Sequence, residues 1–170
     1  MKGNQEKGFS AMELVLAIAV FIFLLSLVYA FLSDSWRDAR DQKRVEDLAS
    51  LKVAFELYRN DHGGFPTGTE VNGNIAANPA LRELLEPYIA SIPVDPAGSD
   101  NQTFFYYYDG AHRCGDNLTA VIFARQMDRP QDSNYQGIVS GVCRGFIDDE
   151  GRGGGVESYT VILGPSDEVR

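Results

Sequence analysis

Apolar side chains dominate one long stretch near the start of the chain. Between residues 9 and 32 the only polar residues are Ser10, Glu13 and Ser26. About 20 apolar residues in an α-helix span the hydrocarbon core of a bilayer. The stretch is also longer than the roughly 7–15 apolar residues of a secretory signal peptide. The pattern therefore predicts a transmembrane helix over residues 9–32.

The following stretch, residues 33–62, is amphipathic. Apolar residues recur there at spacings of three and four, which form one stripe on a helix: Val45, Leu48, Leu51, Phe55 and Tyr58. Neither Gly nor Pro occurs between residues 9 and 62, and Gly63-Gly64 supplies a helix stop. We predict one continuous helix of about 53 residues, close to 80 Å long at about 1.5 Å per residue.

The pattern changes after Phe65-Pro66. Asn78-Pro79 is typical of an N-cap followed by Pro at the first helical position, which predicts a short helix through Leu85. Four later segments rich in β-branched and aromatic residues predict strands: Phe104–Tyr108, Leu118–Arg125, Ile138–Val142 and Ser158–Leu163. We expect an α+β fold in which a small antiparallel sheet packs on the apolar stripe of the long helix, with the aromatic strand against that helix.

Charge separates the two ends of the chain. The 170 residues carry 15 basic and 24 acidic side chains, and residues 63–170 alone account for 7 and 15 of these. A solvated, acidic head of this kind argues against nucleic-acid binding, which needs clustered Lys and Arg. The sequence contains no phosphate-binding loop, GxSxG or HExxH, so we expect no enzymatic activity.

The most informative motif is Gly8-Phe9-Ser10-Ala11-Met12-Glu13, directly before the apolar run. It resembles the class III signal of type IV pilins and type II secretion pseudopilins. Two later segments are also similar to this family: Leu57–Thr67 to the end of the pilin helix, and Tyr88–Pro96 to the loop before the sheet in G-type major pseudopilins.

The resemblance implies a division into four parts. Residues 1–8 are a leader, 9–32 a transmembrane and assembly helix, 33–62 the amphipathic helix of the head, and 63–170 a globular head with an antiparallel sheet. A prepilin peptidase would cut between Gly8 and Phe9 and methylate the new Phe9 amine. The precursor would be stored in the inner membrane. The mature chain would reach an extracellular pilus or a periplasmic pseudopilus through an inner-membrane assembly platform.

Glu13 also has a physical explanation. A carboxylate in an apolar helix costs about 2.5–3.5 kcal/mol at the bilayer centre, and less near the surface, so it usually has a partner. Cleavage after Gly8 creates a free amine on Phe9, one helical turn away. We expect Glu13 of one subunit to pair with the Phe9 amine of a neighbouring copy. The alternative is a Glu that simply reaches the lipid headgroups.

One feature departs from the family. Many pilins carry Gly and then Pro within the apolar helix, where it can unwind in the filament. The matching positions are Ile22 and Ala30, so a continuous helix is predicted here.

Two further sites follow from export of the head. Cys114 and Cys143 are the only cysteines, and in an oxidising compartment we expect them to form a disulfide. Asp148-Asp149-Glu150, in a Gly-rich stretch, could hold calcium, as G-type pseudopilins do in a late loop. The alternative is a solvated acidic turn.

Other functions stay open from the sequence. A minor pilin at a filament tip would use its head as a binding or adhesion module. A single-span protein that does not assemble, or one cut after Val28-Tyr29-Ala30, would keep Met1 or begin at Phe31. The sequence alone does not separate pilus from pseudopilus, or major from minor subunit.

Overall fold

A computed structural model of the chain describes residues 10–98, 103–114, 117–134 and 157–164. The chain divides into two compact units, Met1–Arg37 and Asp38–Arg170. The described elements, in chain order, are helix α1 (Ala11–His62), strand β1 (Gly73–Asn74), helix α2 (Pro79–Leu85), strands β2 (Tyr106–Cys114) and β3 (Asn117–Ala124), a 3₁₀ turn (Pro130–Asp132) and strand β4 (Tyr159–Leu163). This is the α+β architecture that the sequence predicts.

Helix α1 is a single helix of 52 residues. Ser10 precedes it, and its carbonyl oxygen accepts hydrogen bonds from the amides of Glu13 and Leu14 at 3.0 and 3.1 Å. The helix ends at His62, and the next residue, Gly63, has φ of 77° and donates its amide to the carbonyl of Arg59 at 2.8 Å. A left-handed glycine just past the last turn is a common helix stop. The predicted continuous helix and the predicted stop at Gly63-Gly64 are therefore confirmed.

The amphipathic stripe of α1 forms one side of the hydrophobic core of the head. Leu48, Leu51 and Phe55 are completely buried, while Val45 is half-buried. The ring of Phe55 stacks on that of Tyr108 in β2, with 4.4 Å between centroids. Stacked aromatic side chains contribute beyond the area that they bury. The stripe read from the sequence is thus the surface on which the sheet packs.

The four strands form one antiparallel sheet in the order β1-β2-β3-β4. Strand β2 continues beyond the predicted end at Tyr108, because the register shift between Asp109 and His112 lets it pass a glycine without stopping. A bulge of this kind accommodates an extra residue in an antiparallel pair. The predicted strand Ile138–Val142 lies outside the described residues.

The aromatic residues of β2 alternate between the two faces of the sheet. Tyr106 and Tyr108 are buried against α1, as predicted. Tyr107 instead stacks on Phe123 of β3, with 5.1 Å between centroids, in a separate apolar cluster. Successive side chains of a strand point to opposite faces, so the prediction that the whole aromatic strand packs on the helix is wrong for Tyr107.

Helix α2 begins where the sequence predicts. The side-chain oxygen of Asn78 accepts a hydrogen bond from the amide of Leu81 at 3.1 Å, and Pro79 occupies the first turn. Leu81 and Leu85 are buried in the core. The short helix predicted from Asn78-Pro79 is confirmed.

Candidate functional site

Glu13 lies in the first turn of α1. Its side chain is exposed, and the described part of the chain offers it no ion-pair partner. A carboxylate at the N-terminus of a helix is favoured by the helix dipole and by the free amides there. The hydroxyl of the neighbouring Ser10 accepts a hydrogen bond from the amide of Met12 at 3.4 Å.

The first part of α1 exposes apolar side chains on every side. The large apolar residues described between Met12 and Leu32 are 48–84% exposed, with Leu32 the least and Met12 the most exposed. The helix is long and apolar enough to cross a membrane. A helix that is apolar all round is stable only in lipid or among other apolar surfaces. This surface is therefore a binding surface that the chain itself does not cover in its described part.

Several predicted site residues fall where the structure gives no description. Gly8 and Phe9, at the predicted cleavage point, lie outside the described residues. Cys114 is the last residue of β2, but Cys143 lies outside, so the disulfide stays a prediction. The acidic run 148–150 also lies outside, and calcium binding there stays a prediction. The described residues contain no group of three His, Cys, Asp or Glu side chains that could hold a metal ion.

A cluster of charged side chains, which was not predicted above, fixes the head to α1. Its centre is Arg44, whose side chain is completely buried. The guanidinium donates from Nε and Nη2 to the two carboxylate oxygens of Asp95, at 2.8 and 2.9 Å. Its Nη1 donates to Asp41 and to Asp128, at 2.6 and 2.7 Å. The ring of Phe104 lies 4.7 Å from the guanidinium carbon, in cation–π geometry.

The three carboxylates around Arg44 have further partners. Arg40 donates two hydrogen bonds, both 2.8 Å long, to Asp128. Asp41 accepts the backbone amides of Asp128 and Arg129 at 2.8 and 2.9 Å. Asp95 accepts the amide of Ala97 at 2.8 Å. We call Arg40, Asp41, Arg44, Asp95 and Asp128 the Arg44 cluster; it joins α1 to the segment before β2 and the segment after β3.

The hydrogen bonds within the cluster shift the pKa values of Asp128 and Arg44 in the direction that favours their charged forms. The hydrogen bonds from Arg40, and then those from Arg44, lower the pKa of Asp128 to about 2, against the opposing effect of burial. Burial alone lowers the pKa of Arg44, but the hydrogen bonds that its guanidinium donates to Asp95 and Asp128 outweigh burial and raise the pKa above its ordinary value. Buried charges are tolerated only when they are paired in this way. Arg44 and Asp128 are thus ionised at neutral pH, and the cluster positions the chain segments that meet on α1.

A second polar contact continues along the same helix. The phenol of Tyr106 donates to Asp47 at 2.7 Å, and Lys43 donates to the other oxygen of that carboxylate at 2.7 Å. Burial raises the pKa of Tyr106, and the hydrogen bond to Asp47 raises it further. The phenol therefore stays protonated and ties β2 to α1.

The sequence did contain one signal for the Arg44 cluster. Asp41 and Arg44 continue the buried stripe of α1 toward the N-terminus of the helix, at the same spacing of three and four. Two opposite charges on the extension of an apolar stripe indicate buried partners, since charges are almost never buried alone. The stripe did not reveal Asp95 and Asp128, which lie 51 and 84 residues from Arg44.

Comparison with known proteins places these features in context. A family model described as type II secretion system (T2SS), protein G, matches residues 32–121. The matched range contains Asp41, Arg44 and Asp95 but ends before Asp128.

Three relatives carry the same name, type II secretion system core protein G. The Escherichia coli K12 protein is 30% identical over 122 residues, covering 69% of this chain and 82% of its own length. The Klebsiella pneumoniae protein is 33% identical over 104 residues, which cover 58% of this chain and 74% of the relative. The Vibrio cholerae protein is 31% identical over 105 residues, which cover 59% of this chain and 72% of the relative. No solved structure matches significantly.

Proposed function

This chain belongs to the protein G family of the type II secretion system, and on that premise we propose how it is processed and assembled as a pseudopilus subunit. The family is that of the major pseudopilin, a structural subunit. Membership favours this function over a tip adhesion module and over a single-span protein that does not assemble. It also favours a pseudopilus over a surface pilus.

The observation that carries the proposal is the exposed apolar surface of α1. The large apolar side chains described between Met12 and Leu32 are 48–84% exposed. Before assembly, lipid covers this surface; in the filament, the helices of neighbouring copies do so. Lipid is already apolar, so the gain on assembly comes from close packing and from polar pairing between helices.

Glu13 supplies the polar pairing. Prepilin peptidase cuts between Gly8 and Phe9, which leaves an amine on Phe9, and the enzyme methylates it. The amine of one copy pairs with Glu13 of its neighbour and removes the cost of a lone carboxylate among apolar side chains. Because one carboxylate meets one amine, the pair also sets how far each copy is displaced along the filament.

The apolar part of α1 also explains how the chain travels from the inner membrane to the pseudopilus. The precursor is held in the inner membrane by α1, and the assembly platform there draws processed copies into the periplasmic pseudopilus. The partners are other pseudopilins, the peptidase and the membrane before assembly. The chain acts by assembling, and we assign it no catalytic role.

Substitution of Glu13 tests the proposal. We expect Glu13→Gln, produced at the level of the native chain, to be processed and inserted but to lower the yield of sheared filaments about tenfold or more, the effect of losing roughly 1.4 kcal/mol per contact. Asp34→Asn removes an exposed carboxylate from the same unit and is the matched control. Equal filament yields from the two variants would contradict the role of Glu13.

A further inference from the structure

The single tryptophan of the chain occupies a distinctive position on α1. Trp36 lies four residues beyond Leu32, where the apolar run ends, and its side chain is 68% exposed. Within the described residues it makes no hydrogen bond. An indole ring is a large apolar surface with one N–H donor, and in water that surface is costly to expose.

The dimensions of the helix place Trp36 at a defined depth. From Ala11 to Leu32 the helix is about 33 Å long, which matches the roughly 30 Å hydrocarbon core of a bilayer. Each headgroup layer adds about 5–7 Å. Trp36 lies about 6 Å beyond Leu32 along the helix axis, which corresponds to the headgroup layer.

The neighbouring residues fit the same layer. Tyr29 precedes Trp36 by seven residues, so the two aromatic rings share one face of the helix, and Tyr29 is 76% exposed. Arg37 is exposed and has no ion-pair partner among the described residues, so its guanidinium is available to a lipid phosphate. Trp and Tyr are enriched at membrane–water interfaces because they present an apolar ring and a polar tip.

We propose that Trp36, with Tyr29 on the hydrocarbon side, is an interfacial anchor that binds the lipid headgroup layer and fixes the depth of α1 before assembly. The inference rests on the proposed function, which places Ala11–Leu32 in the bilayer. The occupant of this surface is lipid, and the match between the apolar length and the position of the ring is the reason. During assembly, the anchor has to leave the headgroup layer as the subunit is drawn into the filament.

The single tryptophan gives a direct readout. The full chain is reconstituted at low protein-to-lipid ratio into vesicles of phosphatidylcholine and phosphatidylglycerol. Phosphatidylcholines brominated at shallow or deep acyl positions quench from the lipid side, and acrylamide quenches from the water side. We expect the emission of Trp36 to be shifted to shorter wavelength, to be protected from acrylamide and to be quenched more by the shallow bromines than by the deep ones.

Two variants calibrate the depth. In a Trp36→Phe background, Tyr29→Trp places the probe about 10 Å deeper along the helix, and deep bromines should quench it more strongly than they quench Trp36. In the same background, Leu57→Trp places the probe at a position that is 46% exposed in the other unit. This second probe should be open to acrylamide and insensitive to bromine.

Each other result overturns the inference in a recognisable way. If Trp36 emits as in water while the Tyr29→Trp probe is quenched by lipid, the helix is inserted and the anchor is absent. If both probes emit as in water, membrane insertion fails and the anchor fails with it. If the wavelength shift of Trp36 disappears when the protein is diluted in lipid, the ring binds a second copy of the chain rather than lipid.

Discussion

The guanidinium of Arg44 and the carboxylate of Asp95 form two parallel hydrogen bonds of 2.8 and 2.9 Å, and both side chains are almost completely buried. The two residues lie 51 positions apart, one on α1 and the other in the segment before β2. Geometry of this kind uses the planar fork of arginine, which lysine cannot reproduce. The pair fixes the segment before β2 to α1.

Loss of Arg44 should destabilise the head strongly. Arg44→Met leaves Asp41, Asp95 and Asp128 without their shared cation, and removing one partner of a buried ion pair costs about 3–5 kcal/mol. Arg44→Lys keeps the positive charge but loses the planar guanidinium, so its free energy of unfolding should lie between those of the native chain and Arg44→Met. The measurement is the free energy of unfolding of the full chain in detergent by urea titration.

Arg82 provides the control for this series. It is exposed on α2, and we expect Arg82→Met to change the free energy of unfolding by no more than about 0.5 kcal/mol. A loss below about 1 kcal/mol for Arg44→Met would show that the cluster does not hold the head.

Low pH should reduce the free energy of unfolding of the head, because Asp128 becomes protonated. Its pKa is about 2 in the folded chain against an ordinary value of 3.8, so the folded state binds its proton less readily than the unfolded state. The stabilisation is therefore complete above the ordinary pKa and is lost as the pH falls through the folded value. Its size is about 2 kcal/mol, from roughly 1.4 kcal/mol per pKa unit.

The pH dependence of the unfolding free energy of Asp128→Asn tests this assignment. Between about pH 5 and 2 the native chain should lose about 2 kcal/mol more than the variant does. Glu83→Gln removes an exposed carboxylate from α2 and is the matched control. Parallel curves for the native chain and Asp128→Asn would exclude Asp128 as the group responsible.

Gly110 should tolerate no side chain. A Cβ at this position would lie 2.0 Å from the carbonyl oxygen of Pro66, which accepts the phenol of Tyr108 at 2.7 Å. Gly110→Ala must therefore displace backbone, and we expect a loss of about 1–3 kcal/mol, measured by thermal unfolding.

Gly64 gives the comparison for Gly110. A Cβ there meets nothing within 4 Å, and its φ lies outside the left-handed region, so Gly64→Ala should leave the midpoint of unfolding unchanged or raise it slightly. Equal midpoints for the two alanine variants would contradict the close packing at the β2 bulge.

The ends of the helices could be predicted from the sequence because their signals are local. The absence of Gly and Pro before Gly63, and the Asn78-Pro79 cap, each act within a few residues, and both helices begin and end accordingly. The strand boundary at Tyr108 was missed because Asp109-Gly110 is typical of a turn. In the sheet, the pairing of β2 with β3 carries the strand past that point.

The Arg44 cluster was missed for a different reason. Its partners come from segments that only the folded chain brings together, and Arg40 and Asp128 are 88 residues apart. Helical periodicity shows that Arg44 lies on a buried face, but no local rule shows which carboxylates meet it there. Long-range ion pairs depend on the packing of the head, which single-sequence patterns do not specify.

The N-terminus of the protein taken from its native membrane tests the central claim of assembly through α1. Intact mass and N-terminal sequencing should show a chain that begins with N-methylated Phe9, so that Glu13 of a neighbouring copy has an amine to pair with. A chain that begins at Met1 or at Phe31 would lack that amine and would contradict the proposed assembly.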